Sequence, residues 1–352
     1  MKYVISEKMD KIASLTKARS DAEEIAIKNG YKKIEVGTDF AIRYKKYEKP
    51  VQAYLYLKNH RKWDKLLGSF KDGDTVLIQL CFFNTAINFY KLVEKYQKKL
   101  KIVVLVHDLD FLRYIGDDTK SGGYTERVTK DEVETLKNCY KIISHNEKMT
   151  KKLVEYGIPE EKIVNLELFD YLDDKNQKAT VSEKGNIIIA GNLNPNKASY
   201  IKDLHKIDAK FGLYGIDYDK SYDQKNVEYF GAFKADELIP ELKGSFGLVW
   251  DGTTIKTCDG HTGQYTKINN PHKVSLYLSA GLPVIIWKEA ALASFIEKNK
   301  VGFTVSSLEE IPEKLRKITK KDFDEMKKNT EKIAKKLKTG EFLEKALKEI
   351  ER

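Results

Sequence analysis

The chain has no long uninterrupted apolar run: nothing in its 352 residues approaches the roughly 18 uncharged apolar residues of a membrane-spanning helix. Its start, Met1-Lys2-Tyr3-Val4-Ile5-Ser6-Glu7, runs into charges rather than the apolar core of a signal peptide, so a cytoplasmic protein is expected. Cysteine is equally scarce. Cys81, Cys139 and Cys258 are three in number and far apart, which excludes a disulfide framework and any C-x-x-C metal spacing. Cys81 and Cys139 stand in apolar, strand-like surroundings and read as core residues. Helix-turn-helix, aromatic ribonucleoprotein and zinc patterns are also missing, so nucleic acid is not an expected partner despite the net charge of +10.

The composition, 41% hydrophobic and 33% charged, is that of a globular protein, and the length calls for two domains with a core each. The positive charge favours anionic partners: nucleotide phosphates, a phospholipid surface or a lipid-linked phosphate acceptor. Much of the lysine, as in Lys320-Lys321 and Lys335-Lys336, follows solvent-facing helical spacing.

Short β-branched runs alternate with amphipathic segments, the signature of parallel sheets with crossover helices. In the first half the runs are Tyr3-Val4-Ile5, 33–36, 75–80, 102–106 and 141–144, with helices expected at 13–29, 51–66, 85–99 and 146–156. A polar stretch, 173–185, reads as the linker. Strands then resume at 186–191, 211–214, 246–250 and 283–287, with helices near 234–243, 271–280, 290–299 and 307–318. Two Rossmann-like domains are expected, 1–170 and 171–352, with the boundary between about 168 and 186 and the strand ends of both meeting one ligand cleft. One helix of the lysine-rich closing segment, 320–351, is free to cross back to the first domain.

The most informative segment runs from Asp251-Gly252 to Trp287. Asn270 is placed to cap a helix, Pro271 to occupy its first position, and Gly281 to end it. The amides of His272 and Lys273, the helix dipole and the Lys273 charge then form an anion site able to take a diphosphate. A merely capped helix with a solvated lysine is the plain alternative. The polar loop upstream, Gly252 to Gly263, favours the functional reading, as long polar loops at strand ends usually carry function.

The run Asp251-Gly252, then Tyr265-x-Lys267-x-Asn269-Asn270-Pro271-His272-Lys273-x-Ser275-x-Tyr277-Leu278-x-Ala280-Gly281-Leu282-Pro283, resembles bacterial glycosyltransferases of the GT-B fold. The nearest kinds are the glucosyltransferases that add the second sugar to glycans of serine-rich-repeat adhesins and the galactofuranosyltransferases of surface polysaccharides. Ser14-x-Thr16-Lys17-Ala18-Arg19-x-Asp21, Val106-His107-Asp108-Leu109, Ser144-x-Asn146 and Ala190-Gly191-Asn192-Leu193 sit in the expected order, so the resemblance spans most of the chain.

It implies an α/β GT-B fold of two facing Rossmann-like domains. It also implies a UDP-sugar donor held in the second domain by Gly191, Asn192, Tyr214, Asp251, Gly252, Tyr265, Lys267, Asn269, Asn270 and Lys273. The acceptor, a glycan, glycoprotein or lipid-linked saccharide, is expected on the first domain at Thr16, Arg19, His107, Asp108 and Asn146. The sequence departs from many retaining relatives at Ile268 and Leu276, where those enzymes carry two glutamates, so their sugar contacts do not transfer.

Transfer with inversion needs a base for the acceptor hydroxyl and cations for the leaving diphosphate. His107 and Asp108 follow a strand directly, and Asp108 is the better base. The alternatives are Asp108 as a helix cap, His107 as a packed histidine, Asn146 as a cap and Arg19 in solvent. Asp108-Leu109-Asp110 and Asp217-Tyr218-Asp219 match the metal-binding D-x-D of a one-sheet fold, but that fold leaves the second half unexplained, and no metal or cofactor is expected. A homo-oligomer and peripheral membrane contact are both compatible with the sequence. A sugar-nucleotide epimerase and a non-catalytic glycan-binding subunit are the competing functions.

Overall fold

A computed structural model describes residues 1–7, 14–36, 48–80, 88–114 and 123–352. It divides into two compact units: Met1–Lys11, Ala22–Leu166 and Leu343–Arg352 form one, Ile12–Asp21 and Glu167–Phe342 the other.

The first unit is built on β1 (Lys2–Glu7), β2 (Lys32–Val36), β3 (Thr75–Leu80), β4 (Lys101–Val106), β5 (Lys141–Ser144) and β6 (Ile163–Asn165). They form a six-stranded sheet in the order β2-β1-β3-β4-β5-β6, with parallel pairing throughout. Val76, Leu77, Ile78, Val103, Val104 and Leu105 are buried on both faces, as a parallel sheet covered by helices requires. The helices are α1 (Ser14–Lys28, of which this unit holds the part from Ala22 on), α2 (Lys49–Ser69), α3 (Phe89–Tyr96), α4 (Asp110–Arg113), α5 (Gly123–Asn138) and α6 (Glu147–Glu155).

The second unit has a short pair, β7 (Thr180–Val181) with a later strand, and a second parallel six-stranded sheet. Its strands are β8 (Ile187–Asn192), β9 (Phe211–Ile216), β10 (Val227–Gly231), β11 (Lys243–Gly244, the partner of β7), β12 (Phe246–Val249), β13 (Val284–Trp287) and β14 (Gly302–Val305). The sheet order is β10-β9-β8-β12-β13-β14. Its helices are α7 (Pro195–Ala198), α8 (Ala235–Glu241), α9 (Gly260–Tyr265), α10 (His272–Ala280), α11 (Ala293–Lys298), α12 (Ile311–Lys317) and α13 (Lys320–Thr339). The last helix, α14 (Glu341–Ile350), lies almost wholly in the segment that joins the first unit.

Every strand read from the sequence is present. The strands it omits are β6, β10 and β14, each an edge of its six-stranded sheet, and the two-residue pair β7 and β11; β10 leaves Glu228 and Tyr229 exposed, so no apolar run marks it. Cys139 and Cys258 are buried thiols, whereas Cys81 lies outside the described residues.

One glycine fixes how α10 meets its sheet. A Cβ on Gly247 of β12 would lie 2.1 Å from Cγ of Tyr277, so the tyrosine ring crosses the strand where a side chain is missing. The Tyr277 hydroxyl then accepts the Ala190 N–H of β8 at 2.8 Å. Tyr277 is one turn beyond Lys273 and shares its face of the helix, so this contact sets where Lys273 stands.

The unit composition departs from two blocks cut at residue 170. The chain enters the second unit at Glu167, whose φ is +70° in a non-glycine residue, and Ile12–Asp21 of the N-terminal segment also belongs there. Within that unit Lys17 Nζ lies 3.0 Å from Asp21 Oδ1, donates to the Leu172 carbonyl at 2.9 Å and stands 4.7 Å from the Tyr171 ring centroid. Burial raises the Asp21 carboxyl to about 6 even against this lysine. Arg19 is buried rather than in solvent. The contacts of Lys17 with Leu172 and Tyr171 join residues more than 150 positions apart, which local pattern cannot reveal.

Candidate active site

In the second unit, three strand ends and two helix starts provide a cationic floor. Gly191 pairs with Gly215 across β8 and β9, and a Cβ on Gly215 would lie 1.7 Å from the Gly191 carbonyl oxygen. Gly191, Gly215 and Gly252 have φ of +126°, +159° and +137°, conformations that only glycine adopts at ease. The missing Cβ of Gly191 would touch Lys273 Cε at 3.4 Å. Backbone and lysine stem therefore share the space a side chain would fill.

Asp251, just past β12, is buried and receives two ammoniums: Lys273 Nζ at 2.9 Å on Oδ1 and Lys197 Nζ at 3.6 Å on Oδ2. Burial pushes its carboxyl up, but the two lysines more than offset this and hold it below the usual range. The group stays ionised and the trio carries one net positive charge. That is a site for an anion, with two ammonium donors held by one carboxylate.

Lys197 was not singled out in the sequence, although the signal is there. Asn194-Pro195-Asn196-Lys197 repeats the Asn-Pro-x-Lys of Asn270-Pro271-His272-Lys273, each at the start of a helix, α7 and α10. Asn194 does cap its short helix, accepting the Asn196 N–H at 3.0 Å. Asn270 does not, which corrects the expectation: α10 starts at His272 with Pro271 in the cap position and no side-chain cap. The Asn270 amide instead donates to the Glu167 carbonyl at 3.0 Å, holding the left-handed turn by which the chain enters this unit. Among the described residues no side chain takes the His272 and Lys273 amides at the start of α10, which suits them to an anion.

The other donor-side residues are arranged less directly. The Asn192 carboxamide accepts the Asn194 N–H at 2.8 Å and so shapes the turn after β8. Tyr214 is buried, stacked on Phe230 at 4.8 Å, and its hydroxyl accepts the Lys243 N–H, so its side chain serves the packing of β9. Gly252 donates to the Lys197 carbonyl at 2.9 Å, and Asp259 accepts both the amide and the hydroxyl of Thr253 in the loop that follows. Tyr265 is buried at the end of α9. Lys267 pairs with Glu289 at 2.8 Å and lies over the Trp287 ring at 5.2 Å. Asn269 Oδ1 is buried with no hydrogen-bond partner, and His272 Nε2 is the same. Tyr171 stacks on the His272 ring at 5.3 Å.

In the first unit, His107 and Asp108 follow β4. His107 is buried, with Nε2 2.7 Å from Gln79 Oε1. Asp108 is partly exposed and forms an ion pair with Arg113 at 3.5 Å. It does not cap α4, because Leu109 occupies the cap position without a side-chain bond. The amides of Asp110 and Phe111 are taken by Glu132 of α5, at 3.1 and 2.9 Å, a residue the sequence gave no reason to choose. Burial raises the Glu132 carboxyl to about 8, with Asp110 and Asp108 adding to the rise. Asn146 caps α6, accepting from Lys148 and Met149 at 2.9 and 3.0 Å. Thr16 is in α1, and its side chain lies outside the described residues. Among the described residues no three His, Cys, Asp or Glu side chains are grouped as metal ligands.

His145, beside Asn146, gives a test of this region. Its Nε2–H donates to the Val106 carbonyl at 3.0 Å, and burial lowers its pKa from 6.5 to about 4. The folded state therefore holds the imidazole neutral, and the stability this confers is complete above pH 6.5 and is lost as pH falls through 4. His272 behaves alike, burial lowering it to about 4. Urea denaturation at pH 7 and pH 4.5 is expected to show a drop to which each histidine contributes on the order of 2 kcal/mol. His145→Gln is expected to show a smaller drop, and an unchanged slope removes this account.

The N-terminal domain model of the glucosyltransferase 3-like family matches residues 2–168, and its C-terminal domain model matches 187–350. The chain is 38% identical over 257 residues to the beta-1,6-galactofuranosyltransferase WbbI of Escherichia coli K12, covering 72% of each chain. It is 25% identical over 291 residues to glucosyltransferase 3 of Streptococcus parasanguinis, covering 82% of each. Among solved structures, sucrose-phosphate synthase of Thermosynechococcus elongatus superposes with a TM-score of 0.67 at 10% identity, over 100% of this chain and 98% of that one, a likeness of fold.

Proposed function

We propose that this chain, which belongs to the glucosyltransferase 3-like family of GT-B glycosyltransferases, moves a hexosyl group from a UDP-sugar to a sugar hydroxyl of a glycan, glycoprotein or lipid-linked saccharide. It is a glycosyltransferase. The donor sugar, the acceptor class and the residue roles are our reading. Of glucose and galactofuranose we favour galactofuranose, supported by the greater identity to the galactofuranosyltransferase.

The observation that carries the donor side is the Lys197–Asp251–Lys273 trio beside the paired glycines Gly191 and Gly215. As the bond from the anomeric carbon to the diphosphate oxygen breaks, negative charge gathers on the leaving phosphate. Lys273, Lys197 and the first-turn amides of α10 meet it with donors already in place, an interaction that strengthens toward the transition state. Glycine at 191 and 215 lets β8 and β9 close on each other and seats the Lys273 stem against the end of β8, which holds its ammonium in this site. Asp108 is our base for the acceptor hydroxyl, supported by its place just after β4 and by Glu132 rather than Asp108 taking the first amides of α4. We assign no resident metal or cofactor, since two ammoniums offer the neutralisation a cation would otherwise supply, and we place the reaction in the cytoplasm; no described helix is long and apolar enough to cross a membrane.

The test is to incubate the purified protein with UDP-galactofuranose, UDP-glucose and other UDP-sugars and to follow UDP release with and without saccharide acceptors. Acceptor-dependent release, greatest with UDP-galactofuranose, is expected. Release that never needs an acceptor, or no release from any UDP-sugar, removes the reading.

A further inference from the structure

The helix α2 carries two faces, only one of which is accounted for by packing. Asn59, Trp63 and Leu67 are buried at 1%, 1% and 0% exposure, and Trp63 meets Phe89 edge-on at 5.1 Å. These positions recur at i, i+4 and i+8 and define the inner stripe. Directly opposite on the helical wheel stand Val51, Tyr54 and Leu57, then Lys58, Arg61 and Lys65. A solvated face would be polar along its whole length. Here Tyr54 and Leu57 are 63% and 62% exposed, two of the most exposed large apolar side chains among the described residues.

The stripe is graded along its length. Its first half is apolar, and its second is cationic, with Lys58, Arg61, Lys62 and Lys65 lining one open concavity of about 420 Å³ together with Tyr54 and Leu57. The helix has five basic residues and one acid, Asp64. That acid is engaged elsewhere, with Lys95 Nζ at 2.7 Å and the Tyr96 hydroxyl at 2.9 Å, so it does not neutralise the stripe.

From this arrangement we infer that the outer face of α2 docks on the surface of an anionic phospholipid bilayer, Tyr54 and Leu57 entering the headgroup boundary while Lys58, Arg61 and Lys65 meet lipid phosphates. Apolar side chains beside cations on one exposed helix face are the arrangement that binds such a surface, because burial of the former and attraction of the latter act in one place. A second copy of this chain fits the face poorly. A two-fold contact would set cations against cations or bury them beneath the partner's apolar half.

The experiment is co-sedimentation of the full chain with vesicles of equal phosphatidylglycerol and phosphatidylcholine, against vesicles of phosphatidylcholine alone. Binding to the anionic vesicles only, weakened by salt, is expected. Lys58→Gln and Lys65→Gln are each expected to weaken it by roughly fivefold. Tyr54→Ser combined with Leu57→Ser is expected to remove it, with thermal midpoint and UDP-sugar turnover unchanged because both side chains are mostly exposed. No binding to anionic vesicles, or equal binding by the variants, overturns the inference. So does a fall in solution mass of the Tyr54→Ser, Leu57→Ser variant by sedimentation velocity without vesicles, which would assign the face to a second copy. None of these readouts depends on which sugar is transferred.

Discussion

Replacing Lys273 by alanine is expected to lower turnover roughly a hundredfold, or on the order of 3 kcal/mol, by analogy with the loss of one charge-stabilising donor. Two effects are separable in this variant. The first is chemical: the ammonium 2.9 Å from Asp251 is one of two that face the developing charge of the leaving diphosphate. The second is structural. Asp251 is buried, and without Lys273 it keeps only Lys197 at 3.6 Å, so a loss of about 3 kcal/mol of stability accompanies the change.

The double variant Lys273→Ala, Asp251→Ala distinguishes them. It no longer leaves a half-paired carboxylate in the interior, so its thermal midpoint is expected to recover toward the wild type while its turnover does not. The helix itself is expected to persist in both variants, since Tyr277 still crosses Gly247 and holds the Ala190 amide. If Lys273→Ala binds UDP as tightly as the wild type by calorimetry and turns over normally, the diphosphate site lies elsewhere and the assignment of the trio fails with it.

Asp108→Asn is expected to have an effect of equal or greater size on the chemical step, about a hundredfold or more in kcat, the lower end of what a positioned base contributes. UDP affinity is expected to stay the same. The substitution preserves shape, and the Asp108–Arg113 pair it weakens is partly exposed at 3.5 Å, the kind of contact that contributes at most about 1 kcal/mol. The acid limb of the kcat/KM profile is expected to vanish with the carboxylate, a readout that a merely structural residue would not move. Near-normal turnover, or an acid limb that persists, removes Asp108 as the base.

How much of this was legible in the sequence follows from the range of the interactions involved. Alternation of β-branched runs with amphipathic stretches located the strands of both sheet centres, because burial on both faces leaves a continuous apolar run within four to six residues. The end of α10 at Gly281, with φ of +85°, was equally readable, since a left-handed terminus asks for glycine within the local sequence. The start of the same helix was misjudged by one residue. Asn270 has the chemistry of a cap, but its amide is drawn to the Glu167 carbonyl, a partner 103 positions away.

The same limit governs the site. Lysine and asparagine at Asn-Pro-x-Lys, glycines at strand ends and an aspartate after β12 are all visible as residue types, and the sequence by itself determined that such groups stand at strand ends and helix starts. It did not determine that Lys197 and Lys273 converge on opposite oxygens of Asp251, that Gly215 closes against Gly191, or that Glu132 takes the amides Asp108 was free to take. Periodicity and capping encode contacts within about one helical turn, whereas these meetings depend on the strand order β9-β8-β12 and on how α5 packs beside α4. The tertiary structure alone decided them, because bringing distant charges to one carboxylate is a property of which strands are neighbours and not of any segment that either lysine belongs to.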